Sequence, residues 1–255
     1  MDAKRIVIKV GSSTLTGSAG TSLNNSAVAK LVDVVAELKS SGKEVIVVTS
    51  AAIAAGMAPL GLTERPTDLA TQQASASVGQ GLLIAQYSAE FTRHKIVASQ
   101  VLVTGDDLSR DLHKENAKRT LMRLLELGVV PIINENDSVG TEEIRLGDND
   151  RLAALVLQLI GADLLVLVSD IDALYDAPPT HPNANRIAKV TNFAELSAIE
   201  IGGVGASGVG SGGMVTKIQA AEIATTSGAR MLLTDLAHLS DALSGKDVGT
   251  LFTAN

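Results

Sequence analysis

A chain of 255 residues that is 45% hydrophobic and 19% charged, with 23 Gly and 6 Pro, has enough apolar mass for one sizeable core and is neither disordered nor collagen-like. Its net charge of −7 comes with no run of Lys or Arg and only 2% aromatic residues, so phosphate-backbone binding and base stacking both lack their usual footing. The absence of Cys removes disulfides, thiolate nucleophiles and Cys-ligated metals, which leaves small molecules as the expected ligands.

The first apolar run, Ile6-Val7-Ile8, is too short for a signal peptide. The stretch 152–162, interrupted by Gln158, is too short for a membrane span, so the expected location is the cytoplasm. Residues 5–10 predict a strand. Val28, Leu31, Val32, Val35 and Leu38 then recur at spacings of three and four, a helix with Asn24, Asn25 and Ser26 as available caps and Ser41-Gly42 as its end. The continuously apolar 44–49 predicts a strand covered on both faces. A helix between Asp68 and His94, a strand over 96–104, a helix over 115–127 and a strand over 129–134 follow. The polar stretch from Asn134 to Asp150 predicts an ordered loop or short hairpin. A helix over 150–160 and a strand over 164–168 come next, then a polar region with Pro178, Pro179 and Pro182, a Gly-rich segment, a helix over 216–227 and a last central strand over 230–234. With no repeat or linker, residues 1–255 predict a single domain, a three-layer α/β/α sandwich around a mainly parallel central sheet.

In such sheets ligands bind beyond the carboxyl ends of the strands. The residues there are Lys9-Val10-Gly11-Ser12-Ser13, Thr49-Ser50-Ala51-Ala52, Asn134-Glu135-Asn136-Asp137 and Ser169-Asp170-Ile171-Asp172. The segment from Gly202 to Met214 holds seven glycines and runs into Thr216-Lys217. Glycine amides beside a helix N-terminus, with a lysine, form a cradle for phosphate. Each feature alone also has an ordinary explanation: a surface loop for the Gly-rich segment, a solvated edge lysine for Lys9, turn chemistry for Asn134 to Asp137, and helix caps for Asp148 and Asp150. Those separate explanations do not account for their joint occurrence at the strand ends of one sheet. Neither Gly-Lys pair, Gly42-Lys43 or Gly245-Lys246, is followed by Ser or Thr, so there is no Walker-type P-loop. Elbow, zincin and protein-kinase signatures are missing, and the four His are scattered singly.

Lys9-Val-Gly-Ser-Ser, Val48-Thr-Ser-Ala-Ala-Ile-Ala-Ala-Gly56, Ala76-Ser-Val-Gly-Gln80, Asn134-Glu-Asn-Asp-Ser-Val139, Gly147-Asp-Asn-Asp150, Ser169-Asp-Ile-Asp-Ala-Leu-Tyr-Asp176, Ser211-Gly-Gly-Met-Val-Thr-Lys217 and Gly249-Thr-Leu-Phe252 occur in the order seen in glutamate 5-kinases. Over essentially its whole length the chain resembles that branch of the amino acid kinase superfamily. The resemblance implies the amino acid kinase fold and transfer of the γ-phosphoryl group of ATP to the side-chain carboxylate of glutamate, the first step of proline synthesis. A carboxylate nucleophile with a pKa near ~4.3 needs no general base, which suits a chain with no poised His or Cys.

The resemblance further implies catalytic roles for Lys9, Lys217 and Asp150. It implies an amino-acid pocket of Ser50, Ala51, Asn134, Asp137, Asp148 and Asn149. Its nucleotide site would comprise Lys9, Gly11, Ser12, Ser169, Asp170, Ser211, Gly212, Gly213, Met214, Val215, Thr216 and Lys217. Mg²⁺ would accompany ATP, held mainly by phosphates and water, with no protein ligand named. Proline as feedback inhibitor, glutamyl phosphate reductase as pathway partner and a homodimer or homotetramer are implied in the same way, with no nucleic acid and no membrane. Three departures stand out. Ala51 and Ala173 occupy positions where the family usually has Gly, and no C-terminal PUA domain follows Gly249-Thr-Leu-Phe252. Ala51 places a methyl group in the loop expected to face the reacting carboxylate. The alternatives are a weakly active or inactive amino-acid-binding homologue, and a kinase for N-acetylglutamate or aspartate.

Overall fold

The computed structural model describes residues 2–17, 20–140, 149–198 and 213–253. In chain order they form β1 (Arg5–Val10), α1 (Ser12–Leu15), α2 (Asn25–Ser40), β2 (Glu44–Val48), α3 (Ala52–Met57), α4 (Leu69–Arg93), β3 (Ala98–Val103), α5 (Gly105–Ser109), α6 (Asp111–Glu126), β4 (Val130–Glu135) and α7 (Asn149–Ile160). The second half holds β5 (Leu164–Ser169), β6 (Leu174–Tyr175), β7 (Arg186–Ile187), β8 (Lys189–Val190), α8 (Met214–Thr226), β9 (Arg230–Asp235), α9 (Leu239–Ser244) and β10 (Thr250–Phe252). Eight strands make one sheet in the order β3-β4-β2-β1-β5-β9-β10-β8, parallel except where β10 runs against β9. The mainly parallel sandwich is thus as the alternation of strands and helices predicts.

Strand periodicity splits the core in two. Ile6, Ile8 and Val10 face a cluster shared with Val28, Leu31 and Val35 of α2 and Leu83, Tyr87 and Phe91 of α4. Val7 of the same strand faces the opposite cluster, built with Leu121 and Leu125 of α6, Leu152 and Val156 of α7 and Ala220 and Ala224 of α8. Side chains that alternate across a strand must bury on both sides here, because helices cover both faces. Helix ends follow local chemistry. Asn24 and Asp68 cap α2 and α4 by accepting from Ala27 N–H and Thr71 N–H, and Gly42 turns the chain after α2 at φ +80°.

The helix α3 lies against α4 through two glycines. A Cβ on Gly79 would fall 1.8 Å from the Ala52 carbonyl oxygen, and one on Gly56 would fall 1.9 Å from that of Ser75. Only glycine permits that approach, and it pins the start of α3, which follows the end of β2, onto α4.

Several elements escape the sequence pattern. α1, α3, α5 and α9 have four to six residues each, too few for a helical period to register. The polar region of Pro178, Pro179 and Pro182, for which the sequence predicts no element, is bracketed by the β6–β7 hairpin. β10 and β8 extend the sheet beyond β9, so β9 is flanked on both sides. Strands of two or three residues carry no alternation to detect. Of the loop or short hairpin predicted from Asn134 to Asp150, Asn134 and Glu135 belong to β4 and residues 141–148 lie outside the described residues, as does most of the Gly-rich segment, including Gly202. No described helix is long and apolar enough to cross a membrane.

Candidate active site

Lys9 is not a solvated edge residue. It lies in β1, hydrogen-bonded between β2 and β5 with Val48 and Leu167 in register, and it is 5% exposed. Two residues from Val7, it points to the same face of the sheet, toward α7 and α8. There its Nζ lies 2.5 Å from Asp150 Oδ1. Asp150 Oδ2 accepts from Lys217 Nζ at 3.1 Å and from Thr216 Oγ1 at 3.3 Å. Asp150 and Lys217 are 1% and 7% exposed. The result is a buried carboxylate between two ammonium groups, an arrangement carrying one net positive charge.

The local sequence explains why these groups meet. Asp150 lies in the first turn of α7, where the helix dipole favours a carboxylate, so the cap alternative gives way to an ion-paired role. Lys217 lies in the first turn of α8. Gly213 at its N-cap is extended and offers no side-chain acceptor, leaving first-turn N–H groups for other partners. Met214, Val215 and Thr216 open that helix, and Thr216 Oγ1 also donates to the Gly213 carbonyl at 2.8 Å. Gly11 N–H is spent on Val168 O at 3.2 Å. Gly11 itself therefore offers no donor to a phosphate, and Ser12 in α1 begins the next set of amides.

A second, uncharged cluster lies beside the first. Asn149 Nδ2 reaches the Thr49 carbonyl at 2.6 Å, Ser50 Oγ at 3.1 Å and Asn134 Oδ1 at 2.9 Å. Asn134, 2% exposed, also accepts from Glu135 N–H at 2.9 Å and donates to Gln80 Oε1 at 2.8 Å. Thr49 Oγ1 lies 3.0 Å from the Tyr87 hydroxyl, and burial raises the pKa of that phenol, keeping it protonated. Neither Gln80, which closes the Ala76-Ser-Val-Gly-Gln80 motif, nor Tyr87 is among the expected site residues. They are seven residues apart, on one side of α4, and that spacing of polar groups in an otherwise apolar stripe is the signal that could have found them.

Ala51 has φ +80° and ψ 9°, the left-handed conformation that disfavours any residue with a Cβ. Its side chain is 7% exposed and packs with the α2–α4 core. The methyl expected to face a reacting carboxylate is therefore largely covered by protein, and the departure from glycine acts on the backbone. Ala173, the second departure, is fully buried. Asp137 sits in the turn after β4, partly exposed. Ser169 Oγ bonds Asp170 Oδ1 at 3.0 Å, and both border a cavity of ≈ 300 Å³ with Ser13, Thr14, Lys30 and Asp235. Asp148, Ser211 and Gly212 lie outside the described residues. Among the described residues, no group of three His, Asp or Glu side chains could hold a metal ion.

Residues 4–235 match the amino acid kinase family. The chain is 56% identical over 253 residues to a glutamate 5-kinase of Streptomyces coelicolor, covering 99% of this chain and 67% of that protein. It is 58% identical to a glutamate 5-kinase of Salinispora arenicola, covering 98% and 68%, and 52% identical to one of Clavibacter sepedonicus, covering 98% and 94%. Among solved structures the fold resembles a carbamate kinase from Giardia lamblia bound to AMP-PNP, with a TM-score of 0.69, 16% identity and 99% of both chains covered. It also resembles a UMP kinase from Bacillus anthracis, with a TM-score of 0.66, 14% identity, and 99% and 97% covered. At those identities the likeness speaks to the fold. The sequence matches go further: the chain belongs to the amino acid kinase family, in its glutamate 5-kinase branch.

Proposed function

We propose that the chain is a glutamate 5-kinase, transferring the γ-phosphoryl group of ATP to the side-chain carboxylate of glutamate. The observation that carries this reading is the buried Lys9–Asp150–Lys217 cluster beside the amide-lined pocket of Ser50, Asn134 and Asn149. A carboxylate oxygen attacks the γ-phosphorus, the bond to the leaving oxygen of ADP breaks, and glutamyl 5-phosphate and ADP are formed. Both reactants are anions, so the chemistry needs charge neutralisation rather than proton removal. Lys9 and Lys217 supply that charge from the ends of two different elements. Asp150 holds both ammonium groups at one point and keeps them from repelling each other apart. First-turn amides of α8, with residues of the segment 211–217, receive phosphate oxygens, while Ser169 and Asp170 take the remainder of the nucleotide.

Glutamate binds at Ser50, Ala51, Asn134, Asp137, Asp148 and Asn149, the carboxylates suiting its ammonium group. The donor set fits ATP, with two lysines and a helix N-terminus facing one place. Magnesium supplies further neutralisation when it arrives with the nucleotide. It would be held mainly by phosphates and water. Residues 1–255 act as one catalytic domain in the cytoplasm, with proline as inhibitor, glutamyl phosphate reductase taking the product and a homodimer or homotetramer as the assembly. The test is an ATP-dependent hydroxamate assay across glutamate, N-acetylglutamate and aspartate. Product with glutamate alone is expected; turnover only of another acid, or of none, refutes the assignment.

A further inference from the structure

The segment Ala76 to Gln80 has no part in the reaction as described, yet its last residue lies beneath the amino-acid pocket. Gln80 is 8% exposed, on α4, in the layer opposite to α7 and α8. Two backbone groups that cannot exchange roles fix the sense of every amide around it. Glu135 N–H only donates, so the Asn134 atom it meets at 2.9 Å is Oδ1. The Thr49 carbonyl only accepts, so the Asn149 atom at 2.6 Å is Nδ2. Asn134 Oδ1 then also accepts from Asn149 at 2.9 Å, and Asn134 Nδ2 is turned to Gln80 Oε1 at 2.8 Å.

Asn149 Nδ2 has two hydrogens facing three acceptors. Its donors are fully used, and the other arm of the amide, Oδ1, is an acceptor. Without Gln80 Oε1 the buried Asn134 Nδ2 loses its partner. Rotating that amide to relieve the loss would set a donor against both Glu135 N–H and Asn149 Nδ2. We propose that Gln80 is a positioning residue of the amino-acid pocket: by accepting from the buried Asn134 Nδ2 it keeps that amide seated in the sense the backbone sets, so that Asn134 Oδ1 goes on receiving Asn149 Nδ2 and Asn149 Oδ1 is left to accept from the substrate's ammonium group. The proposal rests on the reading of Asn134 and Asn149 as part of the glutamate pocket.

The experiment is steady-state kinetics of the full chain with Gln80→Met and Gln80→Glu, varying glutamate and ATP separately. Wild-type turnover of glutamate tests the function itself, and the variants are compared with it. Gln80→Met should raise the glutamate KM by about tenfold or more, with the ATP KM and kcat changed by less than about threefold. Gln80→Glu keeps an acceptor oxygen and should stay within about threefold of wild type in glutamate KM. If the methionine variant does not fold, Gln80→Ala is read in its place. An unchanged glutamate KM in the variant without an acceptor, an equal rise in both KM values, or a glutamate variant as impaired as the methionine one would each overturn the proposal, since a general packing defect does not distinguish the two substrates.

Discussion

Asn149 and Asp150 are neighbours in sequence and belong to two clusters of opposite character. Asp150 joins Lys9 and Lys217 in a buried set of three charges, whereas Asn149 joins Thr49, Ser50 and Asn134 in a set with none. The first holds full charges out of water, and its strength depends on sign and distance. The second holds dipoles whose value lies in direction, since a reversed amide presents the wrong group at the same place. Charge aimed at a phosphoryl group gains most as charge redistributes in the transition state. Oriented amides that meet a non-reacting ammonium contribute equally to ground and transition states. Loss of the first should therefore appear in kcat and loss of the second in KM.

The largest effect is expected at the lysines. Lys217→Met and Lys9→Met should each lower kcat by at least about a hundredfold, roughly 2.7 kcal/mol of transition-state stabilisation, with the fold intact because Asp150 keeps one lysine partner. Near-full turnover in either variant, measured by ADP release, would remove that lysine from the mechanism. Asp150→Asn leaves two buried ammonium groups without their counter-charge, and breaking a buried pair costs about 3–5 kcal/mol. A fall in Tm of more than ~6 °C is expected for a chain of this size, along with lost turnover; an unchanged melting curve would mean that the lysines find another anion.

The uncharged side is sharpened by Asp137→Ala, which should raise the glutamate KM by about tenfold and leave kcat within about threefold, because the ammonium it would meet does not react. A change confined to the ATP KM would relocate the amino-acid pocket. The smallest effect belongs to Ala51→Gly. Relief of left-handed strain is worth about 1–2 kcal/mol. Against it stand the lost burial of one methyl, about 0.8 kcal/mol, and about 0.4–1 kcal/mol from the freer unfolded chain. These nearly cancel, so Tm should move by no more than ~4 °C. kcat/KM for glutamate should rise by less than about tenfold, the ~1.4 kcal/mol limit. A fall in kcat/KM would show that the alanine backbone is already the better one.

What the sequence by itself determined was the alternation. Runs such as Val45-Ile46-Val47-Val48 and Leu164-Leu165-Val166-Leu167-Val168 are apolar without interruption because helices cover both faces of the sheet, and the spacing of Val28, Leu31, Val32 and Val35 needs no distant partner to read as a helix. Lys9, Asn134 and Asp150 stand out because polar residues at the carboxyl ends of such strands, or at the head of a helix, interrupt the apolar pattern that packing alone would give. Tertiary structure alone decided the rest. The left-handed backbone at Ala51 depends on how the end of β2 must turn into α3, and the Gly56–Gly79 approach depends on two helices meeting. The motif that ends in Gln80 names no partner for its side chain, and only the fold brings Asn134, fifty-four residues later, to donate to it. Local pattern follows from the hydrophobic effect acting on a regular backbone period, whereas the sense of a hydrogen-bonded amide is set only when fixed backbone donors and acceptors from separate strands converge on it.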